Sequence, residues 1–300
     1  MVVRWNRGGT EMDYGRLITA MVTPFHNDGS IDWKTTGLLI DHLIEAQGSD
    51  SIVVSGTTGE SPTLAEAEKL ELFRFAVKHA AGRARIIAGT GSNDTAHSVH
   101  LTKLAEQAGV DGILLVVPYY NRPSQEGMYR HFRTIAEATA LPVMLYNVPG
   151  RTVASMDART TIRLARDAAN IVATKECHSL DHVSEIISGA PAEFRVYTGD
   201  DSATLPAMAV GAYGVVSVAS HIVGSEMKAM IEAYLAGRPA EAAASHRKLL
   251  PVFNGLFKAP NPVLVKKALE LKGLPVGGVR LPLVEADEAE TSALVQLLGL

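Results

Sequence analysis

Eight short apolar segments alternate with longer helical patterns between Leu17 and about Ser217, and this alternation limits the possible folds more than any other feature of the sequence. Nearly all eight are continuous apolar runs, which is typical of parallel strands covered by helices on both faces. The predicted strands are residues 18–22, 51–54, 86–89, 112–117, 143–146, 171–174, 194–197 and 214–218. Eight strand-then-helix units predict an α/β fold, a closed (β/α)8 TIM barrel.

An open, doubly wound sheet is the alternative fold. Such a sheet would more typically have five or six strands and a G-x-G-x-x-G fingerprint in its first strand-to-helix turn. In this sequence that turn reads Thr23-Pro24-Phe25 and has no glycine. Helices are predicted over residues 64–81, entered through Ser61-Pro62-Thr63, and over residues 95–109, with Asp94 or Thr95 as N-cap. The closed barrel is therefore favoured.

Helical patterns continue beyond the eighth strand and predict a C-terminal helical extension. They cover residues 225–236, 240–257, 263–272 and 287–298, with a break at Gly237-Arg238-Pro239. The sequence thus predicts a catalytic barrel over residues 13–236 and a C-terminal helical domain over residues 237–300. Residues 1–12 are expected to be a disordered tail or the result of a mis-assigned start, and no function is attached to them.

Composition argues against several classes of function. Hydrophobic residues make up 47% of the chain and charged residues 20%, which favours a large core over disorder. A net charge of -4 with mixed signs provides neither a basic stripe for nucleic acid nor a polybasic segment for a membrane. The single cysteine, Cys177, cannot form an internal disulfide. We therefore expect a cytoplasmic protein without nucleic-acid or membrane partners.

Polar residues follow four of the predicted strands, at the end of the barrel where active sites form. They are Ser55-Gly56-Thr57-Thr58-Gly59-Glu60 after the second strand, Pro118-Tyr119-Tyr120-Asn121-Arg122-Pro123 after the fourth, Tyr146-Asn147-Val148-Pro149-Gly150-Arg151 at the fifth, and Lys175-Glu176 after the sixth. All four should converge on one mouth.

Lys175 is the candidate nucleophile of this mouth. An apolar barrel interior disfavours a charged amine, and an uncharged amine can attack a ketone. From position alone, a lysine extending to the barrel rim is an equally good interpretation. Tyr146 on the adjacent strand favours chemistry, because its hydroxyl could pass protons during carbinolamine formation and dehydration. A barrel-filling tyrosine is the alternative. The sequence therefore predicts Schiff-base chemistry on a small 2-keto acid.

Three further residues could bind the carboxylates of substrates. Thr57 and Thr58 offer hydroxyls between glycines that allow close approach of backbone N–H groups, which suits a carboxylate better than a phosphate. Arg151 could hold a second carboxylate in a bidentate fork or could form a surface salt bridge. His178 and His182 have a metal-ligand spacing, but no third ligand is evident, so no metal site is predicted. Cys177 is interpreted as structural.

The sequence resembles the dihydrodipicolinate synthases, also called 4-hydroxy-tetrahydrodipicolinate synthases, a family of pyruvate-dependent class I aldolases. The resemblance runs from about Met12 to Leu283. Its motifs are Gly56-Thr57-Thr58-Gly59-Glu60-Ser61, Tyr119-Tyr120-Asn121-Arg122-Pro123-Ser124-Gln125-Glu126-Gly127, Tyr146-Asn147-Val148-Pro149 and Gly199-Asp200-Asp201. It implies a lyase in which Lys175 condenses with pyruvate and the enamine then attacks L-aspartate 4-semialdehyde, in lysine and diaminopimelate biosynthesis. It implies no metal or organic cofactor.

The resemblance also implies a role for each matching residue. Thr57, Tyr146 and Tyr120 correspond to the family's proton relay, with Tyr120 reaching across a subunit interface. A dimer would then be the minimal active unit, and a homotetramer, a dimer of dimers, is expected. The remaining roles concern substrate binding: Thr58 for the pyruvate carboxylate, the backbone carbonyls of Gly199 and Val216 for the keto-acid pocket, and Arg151 for the semialdehyde carboxylate.

The sequence departs from the family's pattern at two places. Lysine-sensitive members carry histidines where this chain has Glu66 and Lys69, so strong inhibition by lysine is not expected, although Ser61, Asn93 and Tyr119 match other parts of the family's allosteric pocket. After the catalytic lysine, Cys177-His178 replaces Ala-Thr or Ala-Ser.

The residues leave three other interpretations open. A sibling Schiff-base aldolase acting on a sugar acid or hydroxy-keto acid is one, and Arg151 together with the Tyr119-Tyr120 loop argues against it. A noncatalytic ligand-binding barrel and a metal-dependent aldolase are the others.

Overall fold

The computed structural model describes residues 13–300, so the expectation for residues 1–12 lies outside the described part of the chain. Eight parallel strands close into a barrel in the order β1 to β8. They are β1 Leu17–Ala20, β2 Ser51–Val54, β3 Arg85–Gly89, β4 Gly112–Val116, β5 Val143–Asn147, β6 Ile171–Glu176, β7 Arg195–Thr198 and β8 Gly214–Ser217. The predicted TIM barrel is confirmed, with every strand at its predicted place.

Twelve α-helices are found among the described residues. They are α1 Trp33–Asp41, α2 Glu66–Ala80, α3 Thr95–Ala108, α4 Gln125–Ala136, α5 Pro149–Thr152, α6 Ala158–Asp167, α7 Leu180–Gly189, α8 Thr204–Ala209, α9 Ser220–Leu235, α10 Pro239–Gly255, α11 Val263–Leu271 and α12 Glu288–Leu298. None of the helices described is long and apolar enough to cross a membrane.

Side-chain hydrogen bonds to backbone N–H groups define where α2 and α3 begin. Helix α2 begins two residues later than predicted, because Ser61–Thr63 forms a separate 3-10 turn. The Glu68 carboxylate then accepts the Ala65 N–H at 2.8 Å, satisfying a donor that the first helical turn leaves free. For α3, the Asp94 side chain accepts the Ala96 N–H at 2.8 Å, so Asp94 is the N-cap.

Strand β6 extends two residues further than predicted. The charged pair Lys175-Glu176 ends the apolar run, but backbone pairing continues past it: Lys175 aligns with Tyr146 on β5 and with Tyr197 on β7. Lys175 therefore lies within the barrel wall rather than in the loop after it. Since neighbours in register on adjacent strands point to the same face, the lysine and both tyrosines share one face of the wall.

The C-terminal extension packs on one side of the barrel and returns to its mouth. Helix α10 packs on α9, and α12 packs on α10 and α11. The segment between α11 and α12 reaches the loop after β1, where the Phe25 N–H donates to the Val276 carbonyl at 3.0 Å. Gly277 has a φ of +75°, and a β-carbon there would overlap the Phe25 carbonyl, so this close approach requires glycine. The division into domains at residue 237 stays a prediction.

Candidate active site

Lys175 lies in the barrel interior, with 6% of its surface exposed. Its Nζ atom lies 4.2 Å from the centre of the Tyr146 ring, as the pairing of β5 and β6 requires. A β-carbon on Gly199, at the exit of β7, would overlap the Lys175 side chain, so glycine at this position leaves room for the lysine. The structure thus holds one amine against one aromatic ring near the carboxyl ends of the strands, where barrel active sites form.

Tyr146 is positioned to hold and pass a proton. Its side chain is 5% exposed, and burial raises the pKa of its phenol, while the charge of Lys175 and a hydrogen bond with Thr57 partly oppose this rise. The phenol is therefore protonated near neutral pH, and the amine of Lys175 lies against its ring. Such a phenol can donate a proton to the oxygen of a carbonyl compound that the Lys175 amine has attacked, so that this oxygen can leave as water.

The loop after β2, which carries Thr57 and Thr58, has at both of its ends a backbone conformation that is costly for residues other than glycine. Ser55 and Glu60 have φ values of +55° and +57°, in the left-handed region. The Thr23 hydroxyl donates to the Gly59 carbonyl at 2.7 Å, and the Asn261 amide donates to the Thr58 hydroxyl at 2.8 Å. Contacts distant in sequence therefore maintain this conformation.

A buried ion pair fixes the end of the same loop. Glu60 Oε1 lies 2.8 Å from Lys266 Nζ of α11, with both side chains at most 3% exposed. The Arg280 N–H donates to Glu60 Oε2 at 2.9 Å, and Lys266 donates to the Gly278 carbonyl at 2.6 Å. The cations of Lys266 and Arg280 both lie over the Phe25 ring, at 4.3 and 4.4 Å from its centre. The C-terminal extension thus supports the loop after β2 that carries Thr57 and Thr58.

The remaining sequence-predicted site residues lie at different depths. Val216 is fully buried in β8, and Gly199 donates its N–H to the Glu176 carbonyl at 2.8 Å. Arg151 is exposed on the short helix α5, and its charge still lowers the pKa of the deeper Tyr146. Arg151 thus lies at the rim, near enough to influence the central pair.

Tyr120 is not part of the cluster formed by the other predicted residues. It is 90% exposed and has a φ of +72°, a conformation rare for a bulky residue. Arg122, two residues on, also has a positive φ, of +48°. Strain of this kind persists where the surrounding structure enforces it and often occurs at functional positions.

Glu176 faces away from the barrel interior and joins the wall to the helices. Its carboxylate accepts the Thr174 hydroxyl at 2.8 Å and the Asn147 amide at 3.0 Å, and it lies 3.5 Å from His182 Nε2 on α7. Burial raises the pKa of Glu176 to about 7. Burial likewise raises the pKa of the neighbouring Cys177 thiol to about 12, which keeps it neutral.

Sequence reasoning missed the residues that support the site from a distance. The sequence alone assigns no site role to Asn261, which lies between Pro260 and Pro262, or to Lys266 of α11. An amide between two prolines has few local backbone partners, and this was the available signal. Asp201 was quoted in a motif without a role. In the structure it is buried and accepts the Ala219 N–H at 2.8 Å, which fixes the exit of β8.

The departures from the lysine-sensitive pattern, Glu66 and Lys69, both lie on α2, and Glu66 faces two histidines of α3. Glu66 lies 3.2 Å from His100 Nε2 and 3.9 Å from His97 Nδ1, and burial lowers the pKa of Lys69. The nearby Asn93 amide donates to the Tyr119 carbonyl at 3.2 Å. Across residues 13–300, no group of three or more His, Cys, Asp or Glu side chains is arranged to hold a metal ion.

Comparison with known proteins gives one consistent result. A model of the Dihydrodipicolinate synthetase family matches residues 13–299. The 4-hydroxy-tetrahydrodipicolinate synthase of Symbiobacterium thermophilum is 57% identical, over 95% of this chain and 97% of that protein. A dihydrodipicolinate synthase structure from Bacillus anthracis has a TM-score of 0.94 at 51% identity, over 96% of this chain and 98% of that chain. The enzyme from Cyanidioschyzon merolae, solved with lysine bound, has a TM-score of 0.93 at 46% identity, over 95% and 97% of the two chains.

Proposed function

Because the chain belongs to the dihydrodipicolinate synthetase family, we propose that it is a lyase with the activity of its relatives, 4-hydroxy-tetrahydrodipicolinate synthesis. Its substrates are pyruvate and L-aspartate 4-semialdehyde, and its place is in lysine and diaminopimelate biosynthesis. The observation that carries this proposal is the buried amine of Lys175 against the buried phenol of Tyr146 at the mouth of the barrel.

The chemistry begins at Lys175. Its amine, once it has lost a proton, attacks C2 of pyruvate, and the C2 oxygen takes up protons and leaves as water, so that an imine joins Lys175 to the keto acid. Loss of a proton from C3 gives an enamine, which forms a carbon–carbon bond with the aldehyde of the semialdehyde. The amino group of that substrate then attacks C2, which closes the ring and releases the Lys175 amine.

The residues around Lys175 supply proton transfer and binding. Tyr146, linked to Thr57, exchanges protons with the departing water, and Tyr120 extends this relay from a neighbouring subunit. Thr58 binds the pyruvate carboxylate, while the carbonyls of Gly199 and Val216 line the keto-acid pocket. The rim position of Arg151 suits a ligand for the semialdehyde carboxylate, since a guanidinium can bind a carboxylate through two hydrogen bonds.

Self-association completes the proposed site. The 90% exposure and strained backbone of Tyr120 support a role outside its own subunit. Leu180 at the start of α7 and Val210 after the end of α8, 37% and 39% exposed, are apolar side chains that a second subunit contact would cover. A dimer of dimers requires two kinds of contact, so we propose a homotetramer in the cytoplasm, acting on small molecules and without nucleic-acid or membrane partners.

The decisive experiment traps the intermediate. The protein is incubated with pyruvate, reduced with borohydride and weighed intact, and the modified peptide is mapped; turnover with L-aspartate 4-semialdehyde is then measured. An adduct on Lys175 together with turnover supports the proposal. An adduct without turnover would indicate an aldolase for another acceptor, and the absence of an adduct would overturn the mechanism.

A further inference from the structure

Asn261 makes a contact whose direction has chemical consequences for the site. It is 7% exposed, lies between α10 and α11, and donates its amide hydrogen to the Thr58 hydroxyl oxygen at 2.8 Å. The two residues are 203 positions apart in the chain. A threonine hydroxyl has one hydrogen to donate and two lone pairs that accept. Since Thr58 accepts from Asn261, its own hydrogen remains available for another acceptor.

No acceptor for that hydrogen is found among the described residues. The Thr58 side chain makes no hydrogen bond there besides the one from Asn261. Thr58 itself is 3% exposed and adjoins Thr57, which influences the pKa of Tyr146. A buried hydroxyl with an unused hydrogen, next to the lysine–tyrosine pair, suits an anionic oxygen of a bound substrate.

We propose that Asn261 is a positioning residue for the keto-acid pocket: it orients Thr58 as a hydrogen-bond donor to the pyruvate carboxylate. This inference rests on the proposed function, in which Thr58 binds that carboxylate. An acidic side chain at the same position would reverse the arrangement, because an ionised carboxylate only accepts hydrogen bonds. It would take the Thr58 hydrogen and add a negative charge beside the substrate anion.

A purely structural role for Asn261 is a weaker explanation of the contact. The same C-terminal segment is already held to the loop by the Glu60–Lys266 ion pair and by the hydrogen bond from the Arg280 N–H to Glu60. The Oδ1 atom of Asn261 is buried without a hydrogen-bond partner among the described residues, so only the amide hydrogens contribute hydrogen bonds there.

The test separates the binding of the two substrates. In Asn261→Asp, we expect the KM for pyruvate to rise about 10- to 100-fold, the loss of a hydrogen bond to a charged group, with kcat and the KM for the semialdehyde nearly unchanged. Asn261→Ala should raise the pyruvate KM less, because the Thr58 hydrogen is no longer directed but is not consumed. Asn254→Ala, on the exposed face of α10, is the matched control and should leave all three constants unchanged.

A double-variant cycle tests the route through Thr58. In a Thr58→Val background, Asn261→Ala should raise the pyruvate KM no further, since no hydroxyl remains to be oriented. Additive effects, or an unchanged pyruvate KM in Asn261→Asp, would overturn the inference. An equal rise in both KM values with a fall in kcat and Tm would also overturn it, because Asn261 would then only hold the segment in place.

The failure of the proposed function can be told apart from the failure of this inference. If the wild-type protein forms no borohydride-trapped adduct, the proposed function fails and this inference fails with it. If the wild-type protein forms the adduct but Asn261→Asp has an unchanged pyruvate KM, this inference alone is refuted.

Discussion

Lys175 and Tyr146 lie on neighbouring strands, whereas Thr57 and Thr58 lie on a loop that adopts left-handed backbone conformations at both ends. The first pair is placed by the hydrogen-bonded register of β5 and β6. The second pair depends on contacts from Asn261, Lys266 and Arg280 in the C-terminal extension. The two halves of the proposed site are thus held by different means: the barrel wall fixes Lys175, and a distant part of the chain fixes the loop that we propose to bind the substrate.

The largest expected effect comes from removing the amine on the strand-held half. Lys175→Ala should abolish the borohydride-trapped pyruvate adduct and lower turnover by a factor of about 10⁴ or more, because Lys175 is the only lysine on the eight described strands. The variant should fold, since the strand pairing involves its backbone. Intact mass and kcat are measured. Lys103→Ala, an exposed lysine of α3, is the control; an adduct of normal yield in Lys175→Ala would refute the role of this lysine.

Tyr146→Phe tests proton transfer in the same half without disturbing the packing of its ring. We expect kcat to fall by about 10²-fold or more, the usual contribution of a positioned acid or base, while the adduct on Lys175 still forms slowly. Borohydride is added after increasing times of incubation with pyruvate, and the yield of adduct at each time gives this rate. Tyr129→Phe, in which the lost hydroxyl donates to Asp167 on the outer helices, is the matched control. Equal kcat values for the two variants would argue against a proton relay through Tyr146.

The strand-held half could be predicted from the sequence, and the loop-held half could be predicted only in part. Continuous apolar runs reveal strands, and the order of strands in a barrel makes Tyr146 and Lys175 neighbours. Thr57 and Thr58 could be identified from their glycine-flanked motif, but not how they are supported. The ties from Asn261 and Lys266 join residues about 200 positions apart, and no local periodicity encodes such pairs. Burial, which raises the pKa of the Cys177 thiol, is likewise a property of the folded chain that the local sequence does not show.

Breaking the buried ion pair should affect the loop-held half through stability. In Lys266→Met the Glu60 carboxylate is left buried without its cation, and we expect the free energy of unfolding to fall by about 3–5 kcal/mol. The double variant Glu60→Gln with Lys266→Met should lose much less, because no unpaired charge remains. Urea unfolding measures both. The neighbouring pair of Lys267 with Glu270 is more exposed, so Lys267→Met is the matched control.

If Lys266→Met and Lys267→Met lose the same stability, the extension does not support the loop through this ion pair. If Lys266→Met is destabilised but keeps the wild-type KM for pyruvate, the pair stabilises the fold without shaping the keto-acid pocket.

The smallest expected effect is a pH dependence in the barrel wall. Burial raises the pKa of Glu176 to about 7, above its value in an unfolded chain. Between about pH 4.5 and 7 the folded state therefore binds more protons than the unfolded state, so the contribution of Glu176 to stability falls as the pH rises through this window, by up to about 3 kcal/mol.

Urea unfolding of Glu176→Gln tests this pH dependence. The glutamine stays neutral, so the variant should gain stability relative to wild type from pH 5 to pH 8, whereas Glu185→Gln on the exposed face of α7 should not. A constant difference between Glu176→Gln and wild type across this pH range would mean that the Glu176 carboxyl keeps one protonation state throughout, and would refute this prediction. Burial lowers the pKa of His182, which lies 3.5 Å from Glu176, so this histidine cannot supply the charge that would keep the carboxylate ionised at pH 8.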